Sequence, residues 1–358
     1  PNKDRIKKSY ISNLQNKINK KYSLNLKSYP DLYKWSINNI DLFWKMLWFD
    51  LDIIHSKNFN SIVDSENKMP GALWFSGSRL NFTQNLLRFK NSNSIALKFY
   101  NETGDYKEIT YQDLHKQVSK VAYSFKEMGI NKGDRVCAVM PNIFETIIAM
   151  LASASIGAIW TSCSPEFGIK GILDRFNQVK PKLLIFTNGY SFKGKIFNIM
   201  NKVSSIAKSI KSIEHIVVVD YIKNIKIDNS FIYWKKLLSN NSDELIYNQL
   251  PFDHPLYIMY SSGTTGKPKS IVHSSGGTLI QHMKELKYHV DLRKNDNIFY
   301  YTTCGWMMWN WLVSSLAFGS TLILYEGSPF YPDNSSLLEK MDSINVSVFG
   351  TSPKYISY

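Results

Sequence analysis

Tyr257-Ile258-Met259-Tyr260-Ser261-Ser262-Gly263-Thr264-Thr265-Gly266-Lys267-Pro268-Lys269 is the stretch on which the reading of this chain turns. The apolar run from Tyr257 to Tyr260 predicts a buried strand, and a loop rich in Gly, Ser and Thr follows it directly. Glycines let a backbone approach an anion closely. Successive N–H groups in such a loop form a concave anion nest, and hydroxyls add donors. Lys267 and Lys269 bring positive charge. The residue types therefore predict that Ser262, Gly263, Thr264, Thr265, Gly266 and Lys267 hold a polyphosphate. The loop is not a Walker A loop: that pattern requires glycine where Ser261 stands and Ser or Thr where Pro268 stands. Taken alone, the same composition also fits a surface turn with incidental lysines.

Upstream of the loop, short apolar runs alternate with helical periodicity. Ile95 to Phe99 reads as a strand, and Thr103-Gly104-Asp105 as a turn. Leu114, Val118, Val121, Ala122, Phe125 and Met128 keep helical spacing, with Thr110 able to cap the front and Gly129 the end. Val136 to Met140 is a strand stopped by Pro141-Asn142, and Ile143, Ile147, Ile148, Leu151 and Ala154 form the next helical stripe. Ala158 to Trp160 is a strand; Ile169, Ile172, Leu173, Phe176 and Val179 form a helix face closed by Pro181. Leu183 to Phe186, Ile216 to Val219, Phe299 to Thr302, Thr321 to Tyr325 and Val346 to Phe349 continue the strands. Strands alternating with amphipathic helices predict an α/β fold of βαβ units with mostly parallel sheets and flanking helices. Lys223 to Gln249 is the least core-like stretch and reads as a surface excursion. Residues 1–30 read as polar, weakly packed helix, and Trp44 and Trp48, four apart, share one face of a docking helix.

The chain has 358 residues, 44% hydrophobic, 20% charged and 14% aromatic, which excludes a wholly disordered, collagen-like or coiled-coil chain. Its net charge of +14 fits nucleic acid, an anionic membrane or a polyphosphorylated small molecule, and equally a Lys- and Asn-rich coding bias. The lysines are scattered rather than interleaved with aromatics on one stretch, which argues against a basic nucleic-acid-binding module. Of the three cysteines, no two stand closer than Cys137 and Cys163, so no CxxC metal motif exists and a reducing compartment, the cytoplasm, is expected. Pro1 to Tyr10 lacks the apolar stretch of a signal peptide, and no apolar run approaches the roughly 18 residues of a membrane span. A chain that starts at Pro1 rather than Met is expected to be part of a longer product.

The loop string closely resembles the signature loop of the adenylate-forming superfamily of acyl-CoA synthetases, peptide-synthetase adenylation domains and luciferases. Asp41-Leu42-Phe43-Trp44, Pro70-Gly71-Ala72-Leu73-Trp74-Phe75, Leu80-Asn81-Phe82 and Asn85-Leu86-Leu87 resemble the N-terminal region of its acetyl-CoA/acetoacetyl-CoA synthetase branch. Thr302-Thr303-Cys304-Gly305-Trp306-Met307-Met308-Trp309-Asn310, Gly327-Ser328-Pro329-Phe330-Tyr331-Pro332-Asp333 and Gly350-Thr351-Ser352-Pro353 are similar to the acetoacetyl members in particular. The resemblance runs from about residue 40 to the end.

It implies an N-terminal helical region over 1–90 and an adenylation domain over 91–358. It also implies ATP, Mg²⁺ and CoA as reactants or cofactors, and small-molecule substrates without a nucleic-acid or membrane partner. The implied reaction is acetoacetate–CoA ligation, or acetyl- or propionyl-CoA synthesis as the alternative. Trp306, Met307 and Met308 are implied along the acyl pocket, and Lys193 and Lys195 near the phosphates of CoA. The family's aromatic-Gly-x-Thr-Glu, Thr-Gly-Asp and late-lysine motifs do not occur. Catalytic and metal-binding residues are therefore expected beyond Tyr358, together with a mobile C-terminal lid, and these 358 residues are expected not to turn over alone. His273 is expected to be a packed residue rather than a general base, and Cys304 a buried small apolar group.

Overall fold

The structure, a computed structural model, describes residues 2–261 and 266–357. Two sheets dominate. The larger has seven strands in the order Ile232–Tyr233, His215–Val219, Leu183–Thr187, Arg135–Val139, Ile159–Cys163, Pro255–Tyr260 and Ser270–Ser274; all neighbours are parallel except the last pair. The smaller has five strands in the order Val348–Gly350, Asn297–Tyr300, Thr321–Glu326, Ile95–Asn101 and Tyr106–Thr110, again parallel except for the terminal hairpin.

Side-chain alternation assigns the layers. Along Arg135–Val139, Val136 and Ala138 face the main core, while Cys137 and Val139 face a second core built with Ile172, Phe176, Val203 and Ile206 of helices Ile169–Val179 and Met200–Ser209. Leu322 and Leu324 of the smaller sheet join the main core, whereas Ile323 and Tyr325 pack on Leu337 and Met341 of helix Ser336–Ser343. Helices Tyr111–Glu127 and Phe144–Ser155 lie between the sheets in that main core. Phe144–Ser155 is buried on nearly every side, as its continuous apolar sequence requires. Thr110 caps the first of these helices, its hydroxyl oxygen accepting from Asp113 N at 3.0 Å. Gly129, at φ +74°, closes its far end with N–H to Lys126 O at 2.8 Å.

Two expectations need correction. The N-terminal 30 residues are not weakly packed: helix Tyr10–Tyr22 buries Leu14 and Ile18, and Tyr10 N donates to Asp291 Oδ1 at 2.8 Å. The 223–249 stretch is not a bare excursion, because Trp234, Leu237 and Leu245 are buried in the main core. Ser270–Ser274, which the sequence reading did not assign, is an edge strand antiparallel to Pro255–Tyr260, with Ile271 and Val272 exposed. The signature loop thus joins two antiparallel strands.

Candidate active site

In open α/β sheets, ligands bind beyond the carboxyl ends of the strands, where the strand order reverses. In the larger sheet that point lies between Arg135–Val139 and Ile159–Cys163, because the chain next crosses to Leu183–Thr187 on the other side. The Thr302–Trp306 segment sits across it. Cys304 Sγ lies 3.0 Å from Met140 O, and the Ser162 hydroxyl donates to Cys304 O at 2.6 Å. A Cβ on Gly305 would make ordinary contact with this strand end, 3.6 Å from Ser164 N. Burial pushes the Cys304 thiol up to about 12, so it is an inert filler as expected.

Asn142 bridges two neighbouring elements. Its N–H donates to Glu326 Oε2 and its Oδ1 accepts from Trp309 Nε1, each at 2.9 Å. One buried residue at the switch point thereby ties the smaller sheet to helix Met307–Val313. Asn310 Nδ2 reaches Met259 Sδ at 3.2 Å, linking that helix to the strand that leads into the signature loop. Trp306 and Met307 are 57% and 37% exposed and Met308 is half-buried, so these three side chains are open to a ligand rather than consumed by the core.

The signature loop has a closed base. Ser261 N donates to Lys269 O at 3.0 Å, and Gln178 Nε2 donates to Pro268 O at 2.8 Å. Ser262, Gly263, Thr264 and Thr265 lie outside the described residues; Gly266, at φ +155°, and Lys267 are exposed. His273 packs its ring 5.1 Å from that of Tyr257, and burial lowers its pKa below the usual imidazole value. That environment favours a neutral ring, in line with a packing role.

A cavity of about 640 Å³ is lined by Lys193, Tyr301, Tyr331, Asn334, Ser352 and Lys354 among others. Lys193 and Lys195 are exposed and lie on a hairpin, Gly189–Phe192 with Lys195–Asn198, which the sequence reading missed. Carboxylates come together behind this wall. Glu102 accepts from Lys193 N at 3.0 Å, Gly194 N at 2.9 Å and Ser328 N at 2.7 Å. Glu326 is pushed up to about 8 by burial; the Asn142 N–H opposes the rise, and Glu166 and Glu102 add to it. Sequence reasoning also missed Glu102, Glu326 and Asn142. The only signal for them was the placement of charged or amide residues at the ends of apolar strands.

Residues 88–358 match the model of the AMP-binding enzyme family, and residues 29–86 match the acetyl-coenzyme A synthetase N-terminus. The chain belongs to the AMP-binding enzyme family. This AMP-binding enzyme chain is 41% identical to an acetoacetyl-CoA synthetase of Danio rerio, over 95% of this chain and 52% of the relative. It is 38% identical to a malonamoyl-CoA synthetase of Penicillium aethiopicum, over 95% of this chain and 51% of the relative. Its fold matches the solved acetoacetyl-CoA synthetase from Streptomyces lividans with a TM-score of 0.96 at 35% identity, covering 100% of this chain and 55% of that one. The chain therefore spans about half the length of the relatives it matches. Among the described residues no helix is long and apolar enough to cross a membrane.

Proposed function

We propose that the protein carrying this AMP-binding chain is an acetoacetate–CoA ligase. The acetoacetate carboxylate attacks the α-phosphorus of ATP, giving acetoacetyl-adenylate and pyrophosphate; the CoA thiolate then displaces AMP. The observation that carries this reading is Trp306-Met307-Met308, with Trp306 and Met307 exposed and Met308 half-buried beside the switch point of a fold shared with acetoacetyl-CoA synthetase. In this reading these side chains line the acyl pocket, methionine being flexible enough to fit an irregular four-carbon acid. The loop from Ser262 to Lys267 holds the phosphates of ATP, and Lys193 and Lys195 meet those of CoA. A carboxylate nucleophile is already ionised at neutral pH and needs no general base, in keeping with a packed, neutral His273. Mg²⁺ accompanies ATP in this scheme. Among the described residues no group of three or more His, Cys, Asp and Glu forms a metal site, so no step is assigned to it. The partners are small molecules, and three buried free thiols accord with a reducing cytoplasm.

Malonamate is the second reading, favoured by the Penicillium relative. It has the shape of acetoacetate with an amide nitrogen in place of the terminal methyl. An apolar pocket separates such a pair poorly, about 10- to 200-fold, whereas a pocket built to hydrogen-bond the amide separates them by more. The test is acid-dependent exchange of labelled pyrophosphate into ATP by the full-length protein. Acetoacetate is expected to give the highest kcat/KM, above malonamate, propionate and acetate. A higher value with malonamate transfers the assignment to that acid, and a higher value with acetate overturns both.

A further inference from the structure

We infer that Glu102 is a positioning residue that sets the CoA-binding lysines in place through the backbone; this rests on the CoA-ligase reading above. Glu102 stands in the tight turn between Ile95–Asn101 and Tyr106–Thr110, at the rim of the smaller sheet. The turn is stiff: Asn101 Oδ1 accepts from Thr103 N at 3.1 Å, Thr103 Oγ1 at 3.0 Å and Asp105 N at 2.8 Å. Glu102 N itself donates to Glu326 O at 3.0 Å.

From this platform the carboxylate reaches two segments from elsewhere in the fold. One is the tip of the Gly189–Asn198 hairpin. Lys193 (φ 52°) and Gly194 (φ 70°) both adopt the left-handed conformation there, as in a tight two-residue turn. Their two N–H groups converge on the two oxygens of Glu102. The other is the strap after Thr321–Glu326, where Ser328 N donates to Glu102 Oε2. The approach is close on both sides. A Cβ on Gly327, at φ +124°, would lie 2.7 Å from the Glu102 side chain, and a Cβ on Gly194 would lie 2.5 Å from the Tyr331 hydroxyl.

Glu102 is 8% exposed, and its charge is directed at N–H groups instead of at lysine. Among the described residues, neither Lys193 nor Lys195 forms an ion pair. The clamp thus fixes the backbone between the two lysines while leaving both ammonium groups free for an anion. A carboxylate accepting several backbone N–H bonds is a charge-assisted, directional anchor. An amide side chain cannot replace it, because its NH₂ would face an N–H donor.

The test compares CoA with dephospho-CoA, which lacks the 3′-phosphate, in the full-length protein and its Glu102→Gln variant. In the wild type, KM for dephospho-CoA is expected to exceed KM for CoA. In the variant, KM for CoA is expected to rise at least tenfold, by a larger factor than acid-dependent pyrophosphate exchange falls. The ratio of the two KM values is expected to shrink at least fivefold. An unchanged ratio, or equal losses in exchange and in CoA use, overturns the proposal. Should Glu102→Gln not fold, Glu102→Asp, which withdraws the charge by one methylene, carries the same comparison. Amide hydrogen exchange at 192–195 and 328 is the independent measurement, expected to accelerate at least tenfold in either variant. Unchanged amide exchange overturns the clamp whatever the activity. A wild type that exchanges pyrophosphate with none of the acids retires the ligase reading, and the amide measurement then decides the clamp by itself.

Discussion

Glu326 is a carboxyl group buried between the two sheets, with a folded pKa of about 8 against an ordinary carboxylate value near 4.5. Between those two values the folded chain keeps a proton that the unfolded chain releases. Stability from this group is therefore full at acid pH and is lost as pH rises toward 8, each tenfold change in proton affinity being worth about 1.4 kcal/mol. Glu326→Gln keeps an acceptor for Asn142 N–H and cannot ionise. Thermal melts at pH 5.5 and pH 8.5 are expected to lie closer together in the variant than in the wild type. A residue at the candidate acyl pocket gives a second outcome. Trp in place of the half-buried Met308 removes volume near the acid, so Met308→Trp should lower kcat/KM for acetoacetate more than for acetate, within about 10- to 200-fold. Equal losses for both acids would mean that Met308 supports the fold and not the choice of substrate.

Helix Tyr111–Glu127 shows how an element is encoded. Its apolar positions, its Thr110 cap and its Gly129 stop are all present in the sequence, and the structure uses each as written. Removing the cap oxygen in Thr110→Ala is expected to cost about 1 kcal/mol, read as a lowered denaturation midpoint. The central strands were legible for the same reason: runs such as Leu183 to Phe186 are wholly buried and apolar throughout. Two elements were not legible. Ser270–Ser274 is exposed along most of its length, so its pattern carries no burial signal, and only its partner strand makes it a strand. The Gly189–Asn198 hairpin turns on Lys193, a residue type that does not announce a left-handed conformation. The loop string was legible from its residue types, whereas the Trp306–Met308 segment was legible only through its resemblance to the acetoacetyl-CoA synthetase branch. Glu102 and Asn142 were not, since a carboxylate and an amide acquire their roles only when two distant segments close on them.

At the scale of the molecule, Asp50 joins the N-terminal helices to the rest. It meets Lys17 of helix Tyr10–Tyr22 and the Tyr288 hydroxyl, and accepts from Lys287 Nζ at 2.9 Å. Burial by itself would raise this carboxyl, but those three hydrogen bonds outweigh it and lower the pKa to about 2. A depressed carboxylate stabilises above its unfolded value near 3.8 and loses that contribution as pH falls toward 2. Asp50→Ala is expected to destabilise the chain by roughly 2 kcal/mol, the scale of hydrogen bonds to a charged group. Proteolysis near residues 23–28, between helices Tyr10–Tyr22 and Tyr29–Asn38, should quicken in that variant. Cleavage at the wild-type rate would show that apolar packing of Leu14 and Ile18 holds the helices without it.

The three thiols lend the chain an internal reporter. Cys137 and Cys163 lie in neighbouring strands of the larger sheet and Cys304 in the segment laid across their ends; all are buried, and burial raises each thiol's pKa above its usual value. Only a thiolate reacts with disulfide reagents or maleimides, so the native chain should count as thiol-free to a chromogenic disulfide and yield three thiols in denaturant. Labelling at neutral pH then becomes a clock for opening of the sheet and the switch point, with no engineered probe. A single cysteine introduced as Lys195→Cys would react by itself, allowing a dye to be attached to the hairpin without first removing the native cysteines.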